Sequence, residues 1–141
     1  MKNLQKGQSM VELAITFVIL LMLLLGTFDF GYGFLYYITI KDAAEEGAIY
    51  GSLYPSTSCN TQVTSRVRNS SSAPIINISN PTTTQVTITR TGTTSGNTIT
   101  VRVDHQYHII TPFVATMIGN ANLNLRATVS NTILTSATNC P

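Results

Sequence analysis

Few side chains in this 141-residue sequence are of types that do chemistry. His105 and His108, the only histidines, stand three apart in a segment that alternates as a strand, so they point to opposite faces and cannot share a metal without a bulge. Asp104 and His105 lie near many serines and threonines, yet no nucleophile elbow accompanies them. No phosphate-binding loop, CxxC pair or HExxH motif is present. The reading is therefore no enzyme, no metal and no cofactor.

The remaining reactive groups are of another kind. Gly7 and Gln8 follow a short leader that carries Lys2 and Lys6 and no acid, and Glu12 then stands alone ahead of a long apolar run. A cut after Gly7 creates an α-ammonium at Gln8, one helical turn before Glu12. Two roles are open to Glu12. As a first-turn acid it is favoured by the helix dipole and wetted by headgroups; alternatively it neutralises an amine that becomes available after processing, on a neighbouring subunit of a filament. Asp29 is the next costly acid, and it either snorkels at the outer membrane interface or pairs with a neighbour's Lys41.

These residues sit on a single long element. From Leu13 to Phe28 no side chain is charged, and the window from Met10 to Phe30 is long enough to cross hydrocarbon, which takes ~20 apolar residues. Lys2 and Lys6 place the N-terminus on the cytoplasmic side and everything after about Ser52 outside. No small-residue signal-peptidase site follows the apolar core. Phe34, Leu35, Tyr37, Ile38, Ala44 and Ala48 continue the helical spacing, so one helix is expected over residues 8–51: span 10–30, outer half 31–51. Its length would be on the order of 65 Å, about twice the hydrocarbon thickness. Gly26, Gly31 and Gly33 invite a bend. Ala43, Gly47 and Gly51 form a ladder of small residues that admits another helix backbone or packs on the chain's own downstream domain.

Beyond residue 52 the composition turns to Ser, Thr, Asn and Pro. A short helix is expected over 61–68 and strands over 84–91 and 98–109, joined by a hairpin at 92–97. A short helix or turn at 112–119 leads to a third strand through Leu123, Leu125, Ala127 and Val129. Arg90, Thr100 and Arg102 are assigned to the wet face of the sheet. The fold class is α+β: a long N-terminal membrane and assembly helix followed by a small three- or four-stranded antiparallel β domain.

Cys59 and Cys140 match no metal-ligand spacing. Outside the cytoplasm one disulfide is expected, closing a loop worth roughly 4 kcal/mol in the chain-entropy account; two unpaired thiols are the alternative. Asn69 and Asn77 begin N-x-S patterns, acceptors for glycosylation. A net charge of +2 and 10% charged residues give no field for nucleic acid. Loss of the leader removes two lysines and leaves six basic against six acidic side chains, a neutral subunit suited to dense packing.

The order KGQSMVELA, apolar run, GTFDFGYGF and KDAAEEGAIYGS resembles the TadE-like pilins and pseudopilins of the tight-adherence branch of the type IV pilus superfamily, across residues 6–52. Beyond that, the likeness is to a general layout of strand, Y-x-x-x-x-P turn at Tyr107 to Pro112, and final strand. Glu45 and Ile49 stand where the family pattern often has Arg. The resemblance implies a prepilin cut after Gly7 by a dedicated membrane peptidase and added to a helical pilus, as a homo-oligomer or with other pilins, with Glu12 as the family's acid. It implies a membrane precursor that becomes an extracellular filament. The other reading is an uncleaved single-pass protein whose outer domain binds a partner or scaffolds a secretion or assembly complex.

Overall fold

The computed structural model describes residues 4–70, 76–136 and 139–140. Helix α1 (Leu4–Leu53) dominates it, followed by a single 3-10 turn (Thr57–Cys59) and helix α2 (Asn60–Asn69). Strands β1 (Thr84–Arg90), β2 (Thr98–His108) and β3 (Asn122–Thr132) follow, with helix α3 (Pro112–Ile118) between the last two. The architecture is α+β, a long apolar helix carrying one three-stranded antiparallel sheet in the order β1-β2-β3.

Helix α1 begins four residues before Gln8 and runs through Gly7 without interruption, since no proline or helix-stopping run separates the leader from the apolar segment. Its glycines at 26, 31 and 33 are helical as well. Two very different environments share it. Every residue from Gly7 to Leu25 is exposed, whereas Ile40, Ala43, Ala44 and Ala48 are fully buried. One 18-residue window has a mean hydropathy of 2.5 and no part of it covered by the rest of the fold, which makes α1 long and apolar enough to cross a membrane.

The upper half of α1 forms one wall of the core. Opposite it, β2 alternates strictly, burying Ile99, Val101, Val103, His105 and Tyr107 and turning Thr100, Arg102, Asp104 and Gln106 outward. Val63 and Val67, four apart, give α2 the apolar face that closes the core. The ladder at residues 43, 47 and 51 is occupied from within. A Cβ on Gly47 would stand 2.4 Å from Val67 Cγ2, and one on Gly51 would stand 2.3 Å from Ile99 Cδ1. Glycine is needed there because α2 and β2 press onto the helix backbone, so Ala43, Gly47 and Gly51 serve the chain's own domain and leave no room for a second helix.

Arg90 also departs from expectation. It shares its parity with Val86 and Ile88 and pairs with Ile99, so it lies on the core face and not the wet one. At the strand end its Nη1 donates to Asn60 Oδ1 at 2.6 Å, while Nε and Nη2 are buried without a hydrogen-bond partner among the described residues. The guanidinium thus ties β1 to the start of α2.

The chain end is fastened beside the helix end. Leu134 N donates to Ser52 O at 3.0 Å and Ile133 N to Asn97 O at 2.7 Å. Cys59 and Cys140 are bridged, with Cα atoms 5.6 Å apart.

Adding one methyl at Gly47 overpacks a full core, at about 1–3 kcal/mol, against about 1 kcal/mol regained in helix propensity. At Gly31 an added Cβ meets nothing within 4 Å. Gly47→Ala is therefore expected to lower the melting temperature of the detergent-solubilised chain and Gly31→Ala to leave it equal or higher. A thermal melt followed by β-sheet circular dichroism reads the opposite signs; equal shifts would show that the close approach at Gly47 does not matter.

Candidate membrane and assembly surface

Glu12 lies on the uncovered part of α1. Its backbone carbonyl accepts from Thr16 Oγ1 at 2.8 Å, an ordinary helical back-bond. Among the described residues its carboxylate has neither an ion-pair nor a hydrogen-bond partner. Gly7 and Gln8 are likewise exposed, and a Cβ on Gly7 would touch nothing. The three residues lie together at the start of an apolar rod and hold nothing within the monomer.

Asp29 is a different case. It is only 4% exposed, and its carboxylate is filled by donors from the loop that leads into α3. Ile110 N and Thr111 N each donate at 3.1 Å, Thr111 Oγ1 makes a short bond, and Tyr107 Oη stands 3.5 Å away. Asp29 is therefore held by the chain's own loop and does not reach out to the surface. The reason is energetic: two backbone N–H groups ahead of Pro112 have no helical acceptor, and an acid near the end of an apolar span has no water. Each supplies what the other lacks. Burial, then the adjacent Asp29 charge, pushes the Tyr107 phenol up to about 12, so it remains a neutral donor.

Two turns further up α1, Tyr36 stacks on His105 with ring centroids 4.9 Å apart, and His105 Nδ1 stands 2.9 Å from Thr84 Oγ1. Tyr32 and Tyr107 complete this aromatic layer. His105 is buried and its imidazole is pushed below its ordinary value by desolvation, whereas His108 is exposed on the other face and bonds Asn122 at 3.0 Å. The pair is split as strand parity requires. No group of three or more His, Cys, Asp or Glu capable of holding a metal occurs among the described residues.

Asn69 and Asn77 are both exposed. Asn77 Oδ1 accepts from Ser79 N at 2.9 Å in an Asx turn, and Ser71, the third residue of the Asn69 pattern, lies outside the described residues. The partners of Asp29 were not foreseen, although the Y-x-x-x-x-P turn is the segment that supplies them. Thr111, at the N-cap position before Pro112, was the available signal.

The helix, uncovered over its first half and long and apolar enough to cross a membrane, carries a small sheet domain on its second half, with Cys59 bridged to Cys140. Residues 7–48, within α1, match the family model described as TadE-like protein. No curated protein and no solved structure matches the chain.

Two outcomes follow from this geometry. Asp29→Ala orphans the Ile110 and Thr111 amides at about 1–3 kcal/mol each, so hydrogen exchange at residues 109–111 should accelerate well beyond that at Val101 and Val103; unchanged protection would mean that the carboxylate does not hold the loop. His105 binds a proton less readily folded than unfolded, where its pKa is ~6.5, so stability is complete above that value and declines as pH falls toward the lowered folded value. Melting temperature at pH 7.5 minus that at pH 5.5 should shrink in His105→Gln; an undiminished difference would assign the pH response to other groups.

Proposed function

We propose that this chain is a structural subunit of a tight-adherence-type pilus, made as a single-span membrane precursor, cut after Gly7 and polymerised through the lower half of α1. The observation that carries this reading is that residues 7–25 are uncovered on every side and contain one unpartnered acid. Lipid satisfies the apolar residues before assembly. Only neighbouring helices can replace lipid once the subunit leaves the membrane.

Within a filament the new Gln8 amine meets the Glu12 carboxylate of the next subunit. An ammonium and a carboxylate drawn together in an apolar bundle are held far more strongly than in water, and neither tolerates that environment alone. The pair thereby sets the stagger between subunits. The other positions named for assembly have different uses, since Asp29 and the ladder at 43, 47 and 51 are consumed within the subunit. Removal of Lys2 and Lys6 leaves balanced side-chain charge, which lets many copies pack without mutual repulsion. The disulfide from Cys59 to Cys140 suits an outer domain in an oxidising compartment, and Asn69 and Asn77 are accessible for glycan attachment there.

A second reading is an uncleaved single-pass membrane protein whose outer domain binds a partner or scaffolds a secretion or pilus assembly complex. Glu12→Ala separates the two. As a pilus subunit, the variant should accumulate in the membrane at wild-type level and be missing from sheared surface fibres, by immunoblot of each fraction. Incorporation at wild-type level would refute the role given to the acid.

A further inference from the structure

Strand β2 lies along α1 in the opposite direction. Ile99 packs at Gly51, Val101 at Gly47, His105 on Tyr36 and Tyr107 at Gly33, and the loop after β2 reaches Asp29. The descent covers 22 helical residues, about 33 Å, and 11 strand residues, about 36 Å. Strand and helix therefore stay in step, and the strand arrives at the outer end of the membrane-crossing window. Helix α3 continues past that point. Val114 and Ile118 share with Gly26 and Phe30 an apolar cavity of about 470 Å³, which puts α3 beside the last turns of the span.

The outward side of this tip is greasy. Ile110, Phe113 and Ile118 are exposed, and Met117 is 75% exposed. Between Asp104 and Arg126 there is no Lys, Arg, Asp or Glu. The opposite end of the sheet, at residues 91–97, is made of Thr, Gly, Ser and Asn. A small domain with one polar end and one uncharged apolar end is built to stand in two solvents.

We infer that α3 and the residues flanking it are immersed in the hydrocarbon edge of the outer leaflet, so that the subunit enters lipid at two places, through α1 and through this tip. The occupant of the patch is lipid acyl chain. The patch is continuous with the uncovered surface of α1 at residues 20–30, which is itself surrounded by lipid on the membrane reading, and this inference rests on that reading. Asp29 supplies the second argument. A carboxylate at that depth finds no donors in lipid, and here it takes backbone and hydroxyl donors from the same loop that carries the tip. Asp29 thereby fixes the depth of α3 against the span. A precursor anchored this way has its outer domain tethered against the bilayer rather than swinging on the helix, and leaving the membrane requires both insertions to be withdrawn together.

The chain contains no tryptophan, so single-tryptophan variants report without interference. Met117→Trp at the tip, Phe17→Trp in the span and Thr93→Trp in the far hairpin all replace exposed side chains. Each full-length variant is reconstituted into phosphatidylcholine vesicles with acyl chains brominated near the headgroup or deep in the bilayer. Met117→Trp should emit at shorter wavelength than Thr93→Trp and lose most of its emission to the shallow bromines, whereas Phe17→Trp should be quenched best by the deep ones. If Phe17→Trp is quenched and Met117→Trp behaves like Thr93→Trp, the tip is in water and the inference fails while the membrane reading stands. If Phe17→Trp is also unquenched, the membrane reading itself fails. Short-wavelength emission from Met117→Trp that no bromolipid quenches, at every protein-to-lipid ratio, would mean that a second copy covers the tip and would likewise overturn the inference.

Discussion

The contact between the Asp29 carboxylate and the amides of Ile110 and Thr111 divides the molecule. Below it α1 is a bare apolar rod, and above it the same helix is a wall of a folded domain. An acid at that junction would be prohibitively placed unless donors were brought to it, and free N–H groups ahead of α3 would be equally costly unless an acceptor were brought to them. The two liabilities cancel only if β2 reaches down α1 by the right length. That requirement sets the register of everything above: Tyr107 against Gly33, His105 on Tyr36, Val101 at Gly47 and Ile99 at Gly51.

The small residues of α1 follow from the same constraint. A strand that runs antiparallel along a helix over some eleven residues, with α2 packed beside it, approaches the helix backbone most closely at Gly51, met by Ile99, while Val67 of α2 meets Gly47. The domain is thus fastened to its helix in three ways along its height: a polar latch at the bottom, an aromatic layer in the middle, and interlocked aliphatic side chains at the top. The chain end closes the upper rim through Leu134 and Ser52.

Much of this architecture was legible in residue order. Alternation in TITVRVDHQY gave the central strand its inner face, and the Thr98 boundary and hairpin fall where Gly92 to Asn97 placed them. An unbroken apolar run without proline predicted one continuous helix. What could not be read was pairing at a distance. Asp29 and Thr111 are 82 residues apart, and no local pattern says that an acid in a span will find its donors in a later loop. The ladder at 43, 47 and 51 has the same form whether a second helix or a first strand fills it, so only tertiary contact decides. Arg90 was misplaced for a simpler reason, because a residue in step with Val86 and Ile88 must share their face.

On the proposed function, the uncovered rod from Gln8 to Leu25 is sheathed first by lipid and afterwards by other subunits, with the end created at Gln8 taking part. Intact mass of the chain recovered from purified surface fibres tests it most directly. The account predicts a polypeptide that begins at Gln8; fibres built from chains that still begin at Met1, or a chain found in membranes and never in fibres, would contradict it.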